Sequence, residues 1–196
     1  MTITDRVRVR EVKLLSDHWY TLNAATFDFL RRDGRWQTST REAYDRGNGA
    51  VILLYHLARR TVVLTRQFRY PAFVNGHDDL LIEAPAGLLD AATPEACIRA
   101  EAEQEAGYRV RQARQVFDAF MSPGSVTERL HFFVAEYEPA DRIGDGGGLE
   151  AEGEDIEVFE LGFDEAMAMT ARGEICDAKT IMLLQYAALN LFKPGS

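Results

Sequence analysis

The run AVILLYHL, residues 50–57, is apolar at both odd and even positions. Because successive side chains of a strand point to opposite faces of a sheet, both faces of this strand need to be covered. A second run of this kind, TVVLTRQF at residues 61–68, follows a short turn. With 46% hydrophobic residues in a chain of 196, there is enough apolar material for the core that such strands require. The sequence therefore predicts a central sheet between two other layers.

The N-terminal segment has a different pattern. Residues 6–45 read as extended strands, with charged residues between the apolar ones and a turn at RRDG, residues 31–34. A three-stranded antiparallel sheet this polar has little core of its own. Two interpretations remain open: the sheet packs on a partner subunit, or it is an edge sheet folded onto its own domain. The expected division is an N-terminal region at residues 1–45 and a main domain at residues 46–196.

The other elements follow from local patterns. Strands are expected at residues 80–83, 110–120, 128–139 and 156–161, and helices at 163–173 and 178–192, with a loop over 71–79. Glu83 lies in an apolar strand, so its charge needs a partner or a role. His131 lies beside two phenylalanines, and no second histidine or cysteine has suitable spacing, so we interpret it as a satisfied histidine rather than a metal ligand.

A short helix preceded by a loop occupies residues 87–108, reading GLLDAATPEACIRAEAEQEAGY. Thr93 can cap the helix, Pro94 suits its first position, and Gly107 is typical of a helix end. At 3.6 residues per turn, Glu101 and Glu105 share one face of this helix. That face also carries apolar residues expected to point to the core, so two carboxylates are predicted close together in a partly buried position.

The acids of this helix have two possible interpretations. An ordinary solvated face accounts for Glu95 and for Glu103, which has Arg99 four residues earlier as an expected surface partner. It does not account well for Glu101 and Glu105, because like charges one turn apart repel and burial adds a desolvation cost. A divalent cation would turn this repulsion into coordination, and Mg²⁺ prefers hard oxygen ligands. The placement favours a metal site.

Composition limits the classes of function. The formal net charge of -9 argues against a general nucleic-acid binder, since such proteins carry basic surfaces. Cys97 and Cys176 form no disulfide framework or ligand cluster, which indicates reduced thiols and a cytoplasmic protein. The sequence has no apolar signal core and no run long enough to span a bilayer, so no membrane association is expected.

The segment DRIGDGGGLEAEGED, residues 141–155, is rich in glycine and acids. Its composition is typical of a mobile surface loop. A loop of this length could also close over a metal site and contribute carboxylates from Glu152 and Glu154. Both interpretations stay open from the residues alone.

The helix segment resembles the signature of the Nudix hydrolase superfamily, G-x5-E-x7-R-E-U-x-E-E-x-G-U with U apolar. The matching positions are Gly87, Glu101, Ala102, Glu105, Gly107 and Tyr108. The segment departs from the signature in being one residue short before Glu101, with Thr93 or Glu95 nearest the first glutamate position. Ala100 stands where arginine is usual, and Gln104 replaces the first glutamate of the pair.

The wider chain is similar to the nucleoside diphosphate sugar pyrophosphatases of this superfamily, including those that cleave GDP-mannose. The segments that carry this resemblance include REAYDRGNGAVILLY, RQFR, AGLLD, MSPGSVTE, HFFVAEY and GEDIEV. The resemblance implies an α+β fold, a Nudix α/β/α sandwich with a mixed central sheet, preceded by the antiparallel extension. It also implies a homodimer in which the N-terminal strands lend residues to the neighbouring site.

The resemblance implies the following site residues. Metal binding is assigned to Ala86, through its carbonyl, and to Glu101, Glu105 and Glu154. Catalysis is assigned to Glu152, Glu154 and Glu105, with Glu152 or Glu154 activating the water. Substrate contacts are assigned to Trp19, Thr40, Arg41, Glu42, Arg69, Gly87, Leu88, Glu128 and Lys179. Trp19 would stack on a base, and Thr40 stands where a lysine is expected.

The implied reaction is Mg²⁺-dependent hydrolysis of the diphosphate bond of a GDP-mannose-like nucleotide sugar, with Mn²⁺ as an alternative metal. A bound cation neutralises phosphoryl charge and lowers the pKa of water, and the protein supplies positioning. The products would be a nucleoside monophosphate and a sugar 1-phosphate. The alternatives are an ADP-ribose pyrophosphatase and, ranked last, a non-catalytic sensor of nucleotides.

Overall fold

The computed structural model describes residues 2–89, 93–149, 151 and 153–193. The strands are β1 Val7–Asp17, β2 Thr21–Leu30, β3 Trp36–Asp45, β4 Gly49–His56, β5 Thr61–Gln67, β6 Leu81–Glu83, β7 Ala86–Leu88, β8 Arg114–Phe120, β9 Arg129–Glu136 and β10 Glu157–Gly162. The α-helices are α1 Tyr70–Val74, α2 Pro94–Ala106, α3 Phe163–Arg172 and α4 Ala178–Asn190. The chain forms two compact units: residues 1–48 with 120–129, and residues 49–119 with 130–196.

The first unit is an antiparallel sheet in the order β1-β2-β3. The predicted turn is present, with the Gly34 N–H donating to the Arg31 carbonyl at 3.1 Å. The segment at residues 120–129 is tied to β3 by a hydrogen bond from the Tyr44 N–H to the Ser125 carbonyl, 2.8 Å. Among the described residues of this unit, only Asp28 is buried. The sheet therefore has no buried apolar core of its own in the part that the structure describes.

The second unit contains a mixed sheet in the order β10-β5-β4-β9-β8, with β6 paired to β5 and β7 paired to β4. Strand β4 runs parallel to β9 and antiparallel to β5. Every residue of β4 is buried, because alternate positions face different helices. Ile52 packs in a cluster with Ile98 and Ala102 of α2, whereas Tyr55 has its ring 6.1 Å from that of Phe192, which follows α4. The predicted central strand, covered on both faces, is confirmed, as is the α+β class with a mixed sheet.

Several element boundaries differ from the sequence expectations. The expected loop over residues 71–79 contains the short helix α1, which starts with Pro71 in its first turn and is followed by Gly76 in the left-handed conformation, φ 92°. Proline is preorganised for a first helical turn, which explains this departure. The strand expected from residue 110 begins at Arg114 instead. Within the described residues, no helix is long and apolar enough to cross a membrane.

Candidate active site

Helix α2 has the ends that its sequence predicts. The Thr93 hydroxyl accepts a hydrogen bond from the Ala96 N–H at 3.3 Å, Pro94 is the first helical residue, and Gly107 ends the helix with φ 75°. The helix packs against β4 and β7. These contacts place the C-terminal half of α2, with both candidate ligand glutamates, beside the short strand β7.

Glu105 is a buried carboxylate, with 3% of its surface exposed. The Ala86 N–H donates to its Oε2 at 2.8 Å. Burial raises the pKa of the Glu105 carboxyl to about 8, and the negative charges of Glu101 and Glu154 act in the same direction. The Ala86 N–H and the positive charge of Arg69 oppose the rise. These interactions indicate that three carboxylates and one guanidinium share a single electrostatic environment.

Glu101 lies against the backbone of Gly87. A Cβ atom built on Gly87 would lie 2.0 Å from Oε1 of Glu101 and 2.1 Å from its Cδ. Such distances are far shorter than van der Waals contact, so only glycine leaves room for this carboxylate. The glycine at the start of the signature is therefore explained by the space that the side chain of Glu101 occupies.

The glycine-rich segment docks on the C-terminal end of α2. The Gly147 N–H donates to the carbonyl of Glu105 at 3.0 Å, and the Gly148 N–H donates to that of Gln104 at 3.2 Å. These bonds satisfy carbonyls that a helix end leaves without partners. A Cβ on Gly146 would lie 2.4 Å from the Glu105 carbonyl oxygen, which explains a glycine there. The described part of the segment is thus docked, in contrast to the alternative of a mobile surface loop.

Glu154 is held at the end of this docked segment. Its Oε2 accepts a hydrogen bond from the Leu149 N–H at 2.9 Å, and the missing side chain of Gly148 leaves space for it. Its charge acts on Glu105. The second predicted carboxylate of the segment, Glu152, lies outside the described residues.

The donor set fits a hard divalent cation, because it consists of carboxylate oxygens in a partly buried position. Among the described residues, no three His, Cys, Asp or Glu side chains are already arranged around one point. Glu105 and Glu154 each accept a backbone N–H instead. A backbone N–H donor offsets part of the repulsion between neighbouring carboxylates. A bound dication would attract the carboxylates towards one point.

Another buried carboxylate, that of Glu83, binds two cations. Glu83, 3% exposed, accepts a hydrogen bond from Arg69 Nε at 2.7 Å and another from Lys179 Nζ. Glu83 lies in an apolar strand, and its charge is therefore balanced by a pair of cations. Asp177 also binds Lys179, at 3.0 Å. Sequence reasoning missed Asp177, although an aspartate directly before an apolar helix is a recognisable N-cap signal.

The predicted site residues fall in both units. The second unit contains Arg69, Ala86, Gly87, Leu88, Glu101, Glu105, Glu154 and Lys179, and the first contains Trp19, Thr40, Arg41, Glu42 and Glu128. Trp19 is 81% exposed, and the Thr40 hydroxyl lies 3.0 Å from that of Thr26. Oε1 of Glu128 lies 3.5 Å from Nε of Arg46.

One predicted pair on α2 is wrong. Arg99 binds Oε1 of Glu95 at 2.8 Å rather than Glu103, and it also donates to the carbonyl of Val110 at 2.7 Å. Long helical side chains lean towards the helix N-terminus, which takes the guanidinium to Glu95. His131 lies 3.3 Å from the Gln115 amide.

Two family models match the chain. The first, described as the GDP-mannose pyrophosphatase NudK N-terminal domain, matches residues 6–44, and the second, described as the NUDIX domain, matches residues 45–184.

Curated relatives named GDP-mannose pyrophosphatase are similar over most of the chain. The relative from Pectobacterium atrosepticum is 56% identical over 184 residues, 93% of this chain and 94% of the relative. The relative from Salmonella arizonae is 54% identical, covering 89% of this chain and 91% of the relative. The relative from Klebsiella pneumoniae is 52% identical, covering 92% and 90%. The similarity therefore extends over nearly the whole length of these relatives.

Proposed function

Because this chain belongs to the NUDIX family, we propose that it hydrolyses the diphosphate bond of a GDP-mannose-like nucleotide sugar. It is a Nudix pyrophosphatase, and one water is consumed as a nucleoside monophosphate and a sugar 1-phosphate are formed. The names of the curated relatives support the substrate class. The observation that carries the proposal is the placement of two carboxylates at β7: Glu101 lies against Gly87, and Glu105 accepts a hydrogen bond from the Ala86 N–H.

The family uses a divalent metal, and we assign Mg²⁺, with Mn²⁺ as the alternative. Its ligands would be the carboxylates of Glu101, Glu105 and Glu154 and the carbonyl of Ala86. When bound, such a cation polarises phosphoryl oxygens and lowers the pKa of bound water. Glu105 would hold the metal in its ionised form, because a ligand carboxylate must be deprotonated.

The cations and the backbone of β7 would bind the substrate. Arg69 and Lys179 would hold phosphate oxygens, since a guanidinium and an ammonium supply charge-assisted hydrogen bonds. Gly87 and Leu88 would contact the same group through the backbone. We assign activation of the attacking water to Glu152 or Glu154.

We further propose that the protein is a homodimer assembled through the N-terminal region, residues 1–45, with residues 46–196 as the hydrolase domain. Val9, Val12 and Leu14 of β1 are 63%, 59% and 56% exposed, and exposed apolar patches of this kind mark interaction surfaces. In this assembly the substrate contacts of the N-terminal region are Trp19, Thr40, Arg41 and Glu42, with Glu128 from the same compact unit. We place the protein in the cytoplasm, and Cys97 and Cys176 are both free thiols.

The reaction can be tested by incubating the full chain with Mg²⁺ and a panel of nucleotide sugars, including GDP-mannose, together with ADP-ribose. We expect GDP-mannose to be cleaved to GMP and mannose 1-phosphate, identified by chromatography. Faster cleavage of ADP-ribose would replace the substrate assignment. Tight binding of one compound without cleavage of any would indicate a sensor instead.

The metal assignment has a matched control on the same helix. Glu101→Gln should abolish Mg²⁺-dependent turnover, whereas Glu103→Gln, at an exposed position of α2, should leave it unchanged. Unchanged turnover of Glu101→Gln at saturating Mg²⁺ would show that the ligand set is wrong.

A further inference from the structure

Glu83 is the centre of a buried network of charges in the second unit. Its side chain is 4% exposed, and its two oxygens have different partners: Oε2 accepts from Arg69 Nε at 2.7 Å, and Oε1 accepts from Lys179 Nζ. One carboxylate thus joins a residue that follows β5 to a residue in the first turn of α4. A buried ion needs such partners to offset its desolvation.

Asp177 supplies the second anion of this network. Its Oδ1 accepts from Lys179 Nζ at 3.0 Å, while its Oδ2 accepts from the Thr180 hydroxyl at 2.6 Å and from the Thr180 N–H at 3.0 Å. The Thr180 hydroxyl in turn accepts from the Ala84 N–H at 2.7 Å. Since Ala84 follows Glu83, the hydrogen bonds form a closed circuit between β6 and the N-terminus of α4.

The network leaves donors for a ligand. An ammonium group has three hydrogens, and two of those of Lys179 are used by Glu83 and Asp177. Arg69 donates to Glu83 through Nε, and 40% of its side chain is exposed. The positive charge of Arg69 also acts to lower the pKa of the Glu105 carboxyl, so this cation interacts electrostatically with a candidate metal ligand.

We propose that Asp177 and Glu83 are positioning residues that hold Lys179 and Arg69 as a preformed pair of cations for the phosphates of the substrate. This inference rests on the proposed function, and it adds Asp177 and Glu83, two residues that have no role in the proposed function. Two anions and two cations make the network neutral before substrate arrives, so the cations stay in place when no phosphate is bound. Donors fixed in advance avoid the cost of ordering long side chains during binding.

A structural role for Asp177 alone makes a different prediction. Asp177 is the N-cap of α4, and asparagine caps helices about as well as aspartate. Asp177→Asn therefore keeps the cap but removes the charge that faces Lys179. A capping role predicts unchanged kinetics, whereas positioning predicts weaker binding of phosphates.

The test is a double-mutant cycle on the full chain with Mg²⁺ and GDP-mannose. We expect Asp177→Asn to raise KM about tenfold, the scale of one charge-assisted hydrogen bond, with kcat changed less than about twofold. Lys179→Met should raise KM further, and Asp177→Asn should add nothing in that background, because its partner is gone. Asp164→Asn serves as the control, since Asp164 lies in the first turn of α3 and pairs with Arg60 at the surface.

A second readout separates this proposal from the proposed function. The wild type, Asp177→Asn, Lys179→Met and the double variant are titrated with GDP and Mg²⁺ by isothermal calorimetry, where no turnover is needed. Coupled losses of GDP affinity without cleavage of GDP-mannose would support positioning and reject the proposed function. If the wild type cleaves GDP-mannose but the two substitutions raise KM by factors that multiply in the double variant, the positioning role is rejected and the proposed function stands. The same conclusion follows if Asp177→Asn has the KM and GDP affinity of the wild type.

One further outcome bears on both proposals, and a replacement variant is needed if Lys179→Met does not fold. Absence of both cleavage and GDP binding in the wild type would overturn both proposals. If Lys179→Met does not fold, Lys179→Gln takes its place in the cycle. Because its uncharged amide can still donate to Asp177, the positioning role is then supported if Asp177→Asn raises KM less in this background than in the wild type, and rejected if the two effects multiply.

Discussion

Replacing Gly87 with alanine should disable the candidate metal site while leaving the fold intact. The added Cβ would lie 2.0 Å from Oε1 of Glu101, and ordinary van der Waals contact begins near 3.4 Å. The carboxylate therefore has to retreat by about 1.4 Å. A misplacement of about 1 Å at a catalytic site can cost about a hundredfold in rate, so we expect a loss of kcat of at least that size.

The thermal stability of this variant should change little. Gly87 lies in the three-residue strand β7, where alanine costs less conformational entropy than glycine, and the close contacts are to a side chain that can rotate. The assays are kcat as a function of Mg²⁺ concentration and the melting temperature. We expect a higher half-saturating Mg²⁺ concentration and a melting temperature within a few degrees of the wild type.

Gly124→Ala is the matched control, because a Cβ on Gly124 has no heavy atom within 4 Å. It should retain wild-type kcat and Mg²⁺ dependence. If Gly87→Ala matched this control in both quantities, Glu101 would not be held in its described position during the reaction. The steric account of the signature glycine would then be refuted.

Three other predictions follow from the same contacts. In the metal-free protein, the folded-state pKa of Glu105, about 8, lies above its unfolded value near 4.5, so the free energy of unfolding should fall as pH rises between these values. Glu105→Gln should reduce this fall in melting scans in EDTA. If Glu105→Gln had the same pH profile as the wild type, the buried Glu105 carboxyl would not be its cause. Gly146→Ala places a Cβ 2.4 Å from the carbonyl oxygen of Glu105, whereas Gly153→Ala has a similar positive φ but open space around its Cβ. Gly146→Ala should therefore lose markedly more thermal stability and Mg²⁺-dependent rate than Gly153→Ala. Equal losses in the two variants would exclude the docking contact as the cause. Leu14→Asp on the exposed strand β1 should shift the proposed dimer to monomer in light scattering, whereas Leu189→Asp should not, although Leu189 on α4 is more exposed than Leu14. A dimer that persists in Leu14→Asp would locate the interface elsewhere.

Much of the fold could be predicted because the responsible patterns are local. The double-sided apolar run of β4 requires cover on both faces, and the cap and stop residues of α2 act within one helical turn. The shared face of Glu101 and Glu105 depends only on helical periodicity. These features were predicted and are present in the structure.

The interactions of the site depend on segments far apart in the sequence. Arg69, Glu83 and Lys179 come from three elements, and composition assigns no partner to any of them. The docking of the glycine-rich segment on α2 was likewise left open, because its composition is also typical of a mobile loop. It was decided by the carbonyls at the end of α2, which need donors, and by glycines that let two backbones approach closely.

The sequence by itself determined the type and order of most elements, that the central strand is covered on both faces, and that two acids lie one helical turn apart. Tertiary structure alone decided that Ala86 caps the Glu105 carboxylate, that Gly87 makes room for Glu101, and that one buried glutamate pairs with two cations. The physical reason is range: backbone propensity and periodicity act over a few residues, whereas burial and electrostatic pairing act through space between segments that only the packed fold brings together.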